Sequence, residues 1–207
     1  MLFLPVTINE TRGWTISIEK IAVACDHGGV GMKKFVVDLL QKRGYEVDDL
    51  GTNSTDSVDY PDYGHVVAER ISSGQNQRAI LICGTGIGMS ITANRHQGVR
   101  AALCNDLYSA RMSRLHNDSN VLVIGGRVIG PAVAEEIVMT WLTTDFEGGR
   151  HIRRLEKIDT AHVESVVKKV VTRYLDKHNE VDSKAIEKMI NDAVNQIMNG
   201  KKEEKNQ

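Results

Sequence analysis

The sequence predicts an α/β protein, a doubly wound parallel sheet of five strands, on three observations. Short strands that are apolar along their whole length alternate with amphipathic helical stretches, the alternation repeats five times, and polar or glycine-rich loops separate the elements. Strands buried on both faces and joined by helices imply a sheet covered on each side, a Rossmann-like layer. In such sheets ligands sit beyond the carboxyl ends of the strands.

The elements follow in order. IAVAC (21–25) is a buried-strand run, followed by the glycine-rich DHGGVG. In KKFVVDLLQKRG, Phe35, Val36, Leu39 and Leu40 share a helical face and Gly44 suits the C-terminal cap. YEVDDLG reads as a second strand, and the polar segment 52–59 as a loop. A helix from about Tyr60 to Ser73 follows, with Pro61 in its first turn. Strand AILIC (79–83) leads to a short helix through Ser90 to Asn94. Strand VRAALC (99–104) leads to helix LYSARMSRLH, and strand NVLVIG (120–125) to helix VAEEIVMTWL.

From about Asp159 the alternation stops. HVESVVKKVVTRYL carries Val163, Val166, Val167, Val170, Val171 and Tyr174 on one helical face. After a polar break capped by Asp182 or Ser183, a second helix carries Ile186, Met189, Ile190, Ala193, Val194 and Ile197. These stripes predict either a structural addition docked on the domain or across a subunit interface, or a protein-recruiting element. The closing GKKEEKNQ is too polar to bury. The expected division is an N-terminal extension over 1–19, the α/β domain over 20–158 and a helical extension over 159–207.

Bulk properties narrow the function classes. Lys and Arg number 26 against 27 Asp and Glu, so no single-sign field argues for nucleic acid or an anionic membrane. Aromatics are 5% of the chain with no basic patch interleaved, which argues against a base-stacking surface. Cys25, Cys83 and Cys104 form no CxxC or Cys/His ligand spacing, so neither a disulfide framework nor a zinc site is suggested. MLFLPVTINETRGW has an apolar start but no basic n-region, and no apolar run is long enough to span a membrane. The expected setting is the cytoplasm, and the expected partner a small molecule or another protein.

The chemistry concentrates in ILICGTGIGMSI (80–91), where a cysteine opens a loop with glycine at every second position, Gly84, Gly86 and Gly88. The loop lacks the GK[ST] of a P-loop, and Met89 stands where a dinucleotide fingerprint needs its last glycine. Two readings stand on these residues alone: a tight strand-to-helix turn with a buried small hydrophobe, or a working site. Successive backbone N–H groups at a helix start form a positive concavity for an oxyanion. The same field favours the thiolate of a cysteine beside it. A thiolate base with an oxyanion cradle is what proton abstraction next to a carbonyl requires.

Other segments make the pattern specific. DHGG, DYPDYG, CGTGIGMSI, CNDLYSARMSRLHNDSNVLVIGGRVIG and FEGGRHIRRLEKI occur in this order. Together they closely resemble the ribose-5-phosphate isomerase B family, which includes galactose-6-phosphate isomerase subunits and allose-6-phosphate isomerases. The resemblance covers about Lys20 to Ile158, with no departure at the positions that matter, and excludes the two extensions.

What the resemblance implies is aldose–ketose isomerisation of a sugar phosphate through a cis-enediolate, with no metal or cofactor. By the same resemblance Cys83 is the base between C2 and C1, Thr85 assists proton exchange between the oxygens, and the N–H groups from Gly84 to Ser90 cradle the enediolate. His116 resembles the ring-opening acid/base, with Asn117 beside it. Asp26 would bind sugar hydroxyls, Tyr60 would line the substrate, and His27, Arg150 and Arg154 would clamp the phosphate. Arginine suits that role because its fork is bidentate and permanently charged. A homodimer or homotetramer with a composite site is implied as well.

Each residue also has a plainer reading. His116 could cap the helix it ends, Asp26 and His27 could be turn chemistry, and the arginines could be a solvated basic face. Cys25 and Cys104 are expected to be structural. Three functions therefore compete: a ribose 5-phosphate isomerase, an isomerase of the same mechanism acting on a hexose 6-phosphate, and a non-catalytic sugar-phosphate-binding module.

Overall fold

A computed structural model of the chain describes residues 6–8, 16–159, Val167, Val171, Lys188, Asn191 and Asp192. Those last five positions are helical; the rest of the two-helix expectation for 159–207, and the polar end, lie outside the described residues. By its contacts the chain divides into a unit over Met1–Gly148 and a second over Gly149–Gln207.

In the first unit, β1 (Val6–Ile8) and β2 (Ile16–Ile18) form an antiparallel pair in which Val6 faces Ile18. Three-residue strands are too short to raise a period-two signal, so the sequence reading treats this stretch only as an extension. Then come β3 (Lys20–Cys25), α1 (Val30–Lys42), β4 (Glu46–Asp49), α2 (Tyr60–Ser72), β5 (Arg78–Cys83) and α3 (Ile87–Ala93). β6 (Ala101–Leu103), α4 (Leu107–Asn117), β7 (Val121–Gly125) and α5 (Pro131–Thr143) complete the unit.

β3 to β7 form one parallel sheet in the order β4-β3-β5-β7-β6. This is the expected Rossmann-like layer. The first two and the last two strands are each exchanged relative to chain order, which no local pattern encodes.

Alternate residues of the central strands face opposite layers, as the pleat requires. Ile21, Val23, Cys25, Ile80, Ile82, Leu122 and Ile124 pack with Val36 and Leu40 of α1 and with Ile137 and Trp141 of α5. Ala22, Ala24, Leu81, Cys83 and Val123 pack with Val67 and Ile71 of α2 and with Met89 and Ala93 of α3. Each large aliphatic side chain so buried contributes about 1.5–3 kcal/mol. One consequence bears on function: Cys25 and Cys83, at neighbouring strand ends, belong to opposite layers.

A buried lysine fixes the loop beyond β4. Lys33 of α1 is 2% exposed, and its Nζ donates to Asp49 Oδ1 at 2.6 Å, Asp49 Oδ2 at 2.9 Å and Asn53 Oδ1 at 2.8 Å. A buried ammonium persists only where acceptors replace its water, and this one ties segment 49–53 to α1.

Candidate active site

β3 and β5 are adjacent, with Cys25 level with Ile82, so the loops that follow them face each other. In the first loop Asp26 is buried; its Oδ1 accepts the Gly28 N–H at 2.8 Å, and its own N–H donates to Ile82 O at 3.2 Å. That turn presents His27, whose Nδ1 accepts the Val58 N–H at 3.2 Å. An accepting ring nitrogen carries no proton, so the neutral imidazole keeps its proton on Nε2 and offers it as a donor.

The second loop starts at Cys83, 5% exposed, whose Sγ accepts the Gly86 N–H at 3.0 Å. Gly86 reaches that position with φ +82°, and a Cβ there would run into Leu103 Cδ1. Only glycine fits both constraints. Thr85 is exposed, and its Oγ1 accepts the Ile87 N–H at 3.3 Å. Ser90 turns its hydroxyl back to Ile87 O at 2.8 Å. Tyr60, at the first position of α2, lays its ring over Gly88, where an added Cβ would stand 2.6 Å from Cε2. The two loops touch: a Cβ on Gly28 would stand 3.1 Å from Gly84 N.

Sequence reasoning passed over Arg127. Its N–H donates to Gly84 O at 3.0 Å, and its side chain runs beside that glycine, Cδ lying 3.6 Å from where a Cβ would be. A permanent guanidinium thus joins the glycine loop. The one local signal was its place in GGRVIG, just past the carboxyl end of a strand.

His116 and Asn117 are not brought to this loop within one chain. They are the last two residues of α4, which runs back from the carboxyl edge. Asn117 O accepts from Arg100 Nε at 3.1 Å, and Arg100 immediately precedes β6. An 11-residue helix is roughly 16 Å long, so His116 lies toward the amino edge of the sheet while Cys83 closes the carboxyl end of β5. Glu147 approaches the same helix end: its N–H donates to Leu115 O at 3.1 Å, and its Oε2 is 3.7 Å from His116 Nε2. Arg150 and Arg154 belong to the second unit, on a helical run over 150–159.

The three thiols differ. Burial pushes Cys25 up to about 12, only partly offset by Lys33, and Cys25 Sγ donates to Thr52 O at 3.5 Å. Burial likewise pushes Cys104 up to about 11. Both are neutral at physiological pH and inert. Cys83 alone of the three receives an N–H on its sulfur.

Comparison with known proteins identifies the family. The family model for ribose/galactose isomerases matches residues 21–158. Ribose-5-phosphate isomerase B of Escherichia coli is 49% identical over 141 residues, covering 68% of this chain and 95% of that protein. D-erythrulose-4-phosphate isomerase of Pectobacterium atrosepticum is 44% identical over 139 residues, covering 67% and 91%. The solved structure of ribose-5-phosphate isomerase B of Clostridium thermocellum superposes with a TM-score of 0.68 at 53% identity, covering 69% of this chain and 97% of that one. The fold and these relatives define a sugar-phosphate isomerase. The chain belongs to the ribose/galactose isomerase family and is an enzyme of the isomerase class. No helix among the described residues is long and apolar enough to cross a membrane.

Proposed function

We propose that this isomerase interconverts ribose 5-phosphate and ribulose 5-phosphate without a metal, with Cys83 as the base. The observation that carries the reading is the Gly86 N–H on Cys83 Sγ at 3.0 Å, at the mouth of the glycine loop. With the furanose opened, the thiolate removes the proton from C2. The electron pair forms the C1=C2 bond and leaves negative charge on O1, which the amides from Gly84 to Ser90 hold. Thr85 Oγ relays the O2 proton to O1, and the Cys83 thiol then returns its proton to C1 as the carbonyl reforms at C2. Preorganised donors at the oxygen that gains charge lower this barrier. Asp26 and Tyr60 orient the opened sugar. The His27 Nε2–H and Arg127 bind the phosphate, and Arg150 and Arg154 keep the phosphate role that the family resemblance implies.

His116 acts as the ring-opening acid/base, with Asn117 beside it, but in the site of a second copy. Its separation from Cys83 within one chain supports a composite site in a homodimer, alone or within a tetramer. So does the apolar rim: Ile87 and Ile91 of α3 are 54% and 53% exposed, and Tyr108 is 74% exposed, a pattern suited to an interface.

Two measurements test this. Ribose 5-phosphate should be turned over in EDTA, and faster than allose or galactose 6-phosphate. Inactive Cys83→Ala and His116→Ala proteins, mixed and allowed to exchange subunits, should regain about a quarter of wild-type activity, because each mixed dimer holds one intact site. No recovery after demonstrated exchange sinks the composite site, and no turnover of ribose 5-phosphate sinks the pentose reading. A tetrose 4-phosphate is the second substrate to try, given the erythrulose-4-phosphate isomerase relative.

A further inference from the structure

Asp118 is the only non-glycine residue with positive φ among the described residues, at φ 42° and ψ 47°, and it directly follows His116 and Asn117. Glycine is the ordinary residue for a left-handed helix cap. A side chain there costs free energy, less for aspartate than for most, and persists where its surroundings over-determine it. Here the surroundings do so. Arg100 Nη2 donates to Asp118 Oδ2 at 2.8 Å, and Arg114 Nη1 donates to Oδ1 at 2.9 Å. Arg100 Nε also donates to Asn117 O at 3.1 Å and to Asp118 O at 2.9 Å, satisfying carbonyls that a helix end leaves open. Arg114 Nη1 reaches Ser119 O at 2.6 Å. Two guanidiniums from separate elements therefore close on one carboxylate, and the clamp fixes the backbone that carries His116 and Asn117. Glycine would end the helix without strain but could not bridge the arginines.

We infer that Asp118, clamped by Arg100 and Arg114, is a positioning residue that sets the posture of His116 for opening the sugar ring. The inference rests on the proposed ribose 5-phosphate reading. A histidine offered to a neighbouring copy is not built into the substrate loops of its own chain; Glu147 Oε2 lies 3.7 Å from its Nε2, and the clamped helix end fixes the backbone from which it projects. A misplacement of about 1 Å at such a group can cost up to a hundredfold in rate.

The test separates ring opening from proton abstraction. Ribose 5-phosphate is a closed furanose, whereas ribulose 5-phosphate is acyclic because its O5 carries the phosphate. Deuterium uptake at C1 of ribulose 5-phosphate in heavy water follows the Cys83 chemistry without a ring step. Asp118→Gly keeps the left-handed backbone and removes the carboxylate. It should lower kcat on ribose 5-phosphate about tenfold with little change in KM, and leave C1 exchange within about twofold. Asp118→Asn, which tolerates the same backbone and keeps one acceptor oxygen, should recover much of the loss. Equal falls in both readouts, or no fall in either, overturn the inference. A wild-type protein inert on ribose 5-phosphate defeats the pentose reading instead.

Discussion

Cys25 and Cys83 end neighbouring strands of one sheet, and their sulfurs are held in opposite ways. Cys25 donates to a carbonyl, Thr52 O, and burial pushes it up to about 12. Cys83 accepts from an amide, Gly86 N–H. The pleat turns Cys25 into the layer of α1 and α5 and Cys83 into that of α2 and α3. Burial alone therefore does not decide what a thiol does. The next residues decide it: after Cys25 the chain turns on an aspartate, and after Cys83 it turns on a left-handed glycine that aims an amide back at sulfur.

The largest expected break of that comparison is in rate. Cys83→Ala should lower kcat on ribose 5-phosphate by about a thousandfold, in the range for loss of a positioned proton-transfer group. Cys25→Ala should leave kcat within about threefold and cost about 1 kcal/mol of stability. Steady-state kinetics and urea unfolding of the two variants check this. Comparable losses of activity would mean that the opposed hydrogen bonds carry no functional difference.

The smaller step is to damage the amide rather than the sulfur. Gly86→Ala forces a side chain into a left-handed backbone and against Leu103. It should cost about 1–3 kcal/mol in stability and lower kcat by about tenfold or more, since both the cradle and the N–H on Cys83 move. A variant that keeps full activity would separate the loop from the chemistry. Gly44, also at positive φ but at the end of α1, makes the control: alanine there should cost stability and spare kcat.

How much of this was legible in the sequence follows the range of the interactions. The parallel sheet was legible because strands such as IAVAC and AILIC are apolar on both faces, a local property. The glycine loop was legible because spacing alone shows where amides can converge. The His27 tautomer was not, because it depends on Val58 N–H, 31 residues away. Arg127 was missed because only the pairing of β5 with β7 brings it to Gly84. Asp118 reads in sequence as one more polar residue after a helix. Its backbone is fixed by Arg100, which lies before a different strand. The remoteness of His116 from Cys83 follows from helix direction, and a motif list read along the chain conceals it.

The smallest effect sharpens the comparison from the side of Cys25 and turns on the sign of a linkage. Its folded-state value of about 12 lies above the ordinary 9.0, because burial disfavours the thiolate. An acid raised in this way stabilises the fold fully below its unfolded value. That contribution is lost as pH rises through the window from 9.0 toward about 12, since the unfolded chain ionises first. Urea midpoints taken at about pH 8 and about pH 10.5 should therefore fall further in wild type than in Cys25→Ala. Lysines and tyrosines that titrate in the same window are common to both proteins and largely drop out of the difference. Equal falls would mean that the sulfur reaches water in the folded state, and the two strand ends would then differ in hydrogen bonding alone.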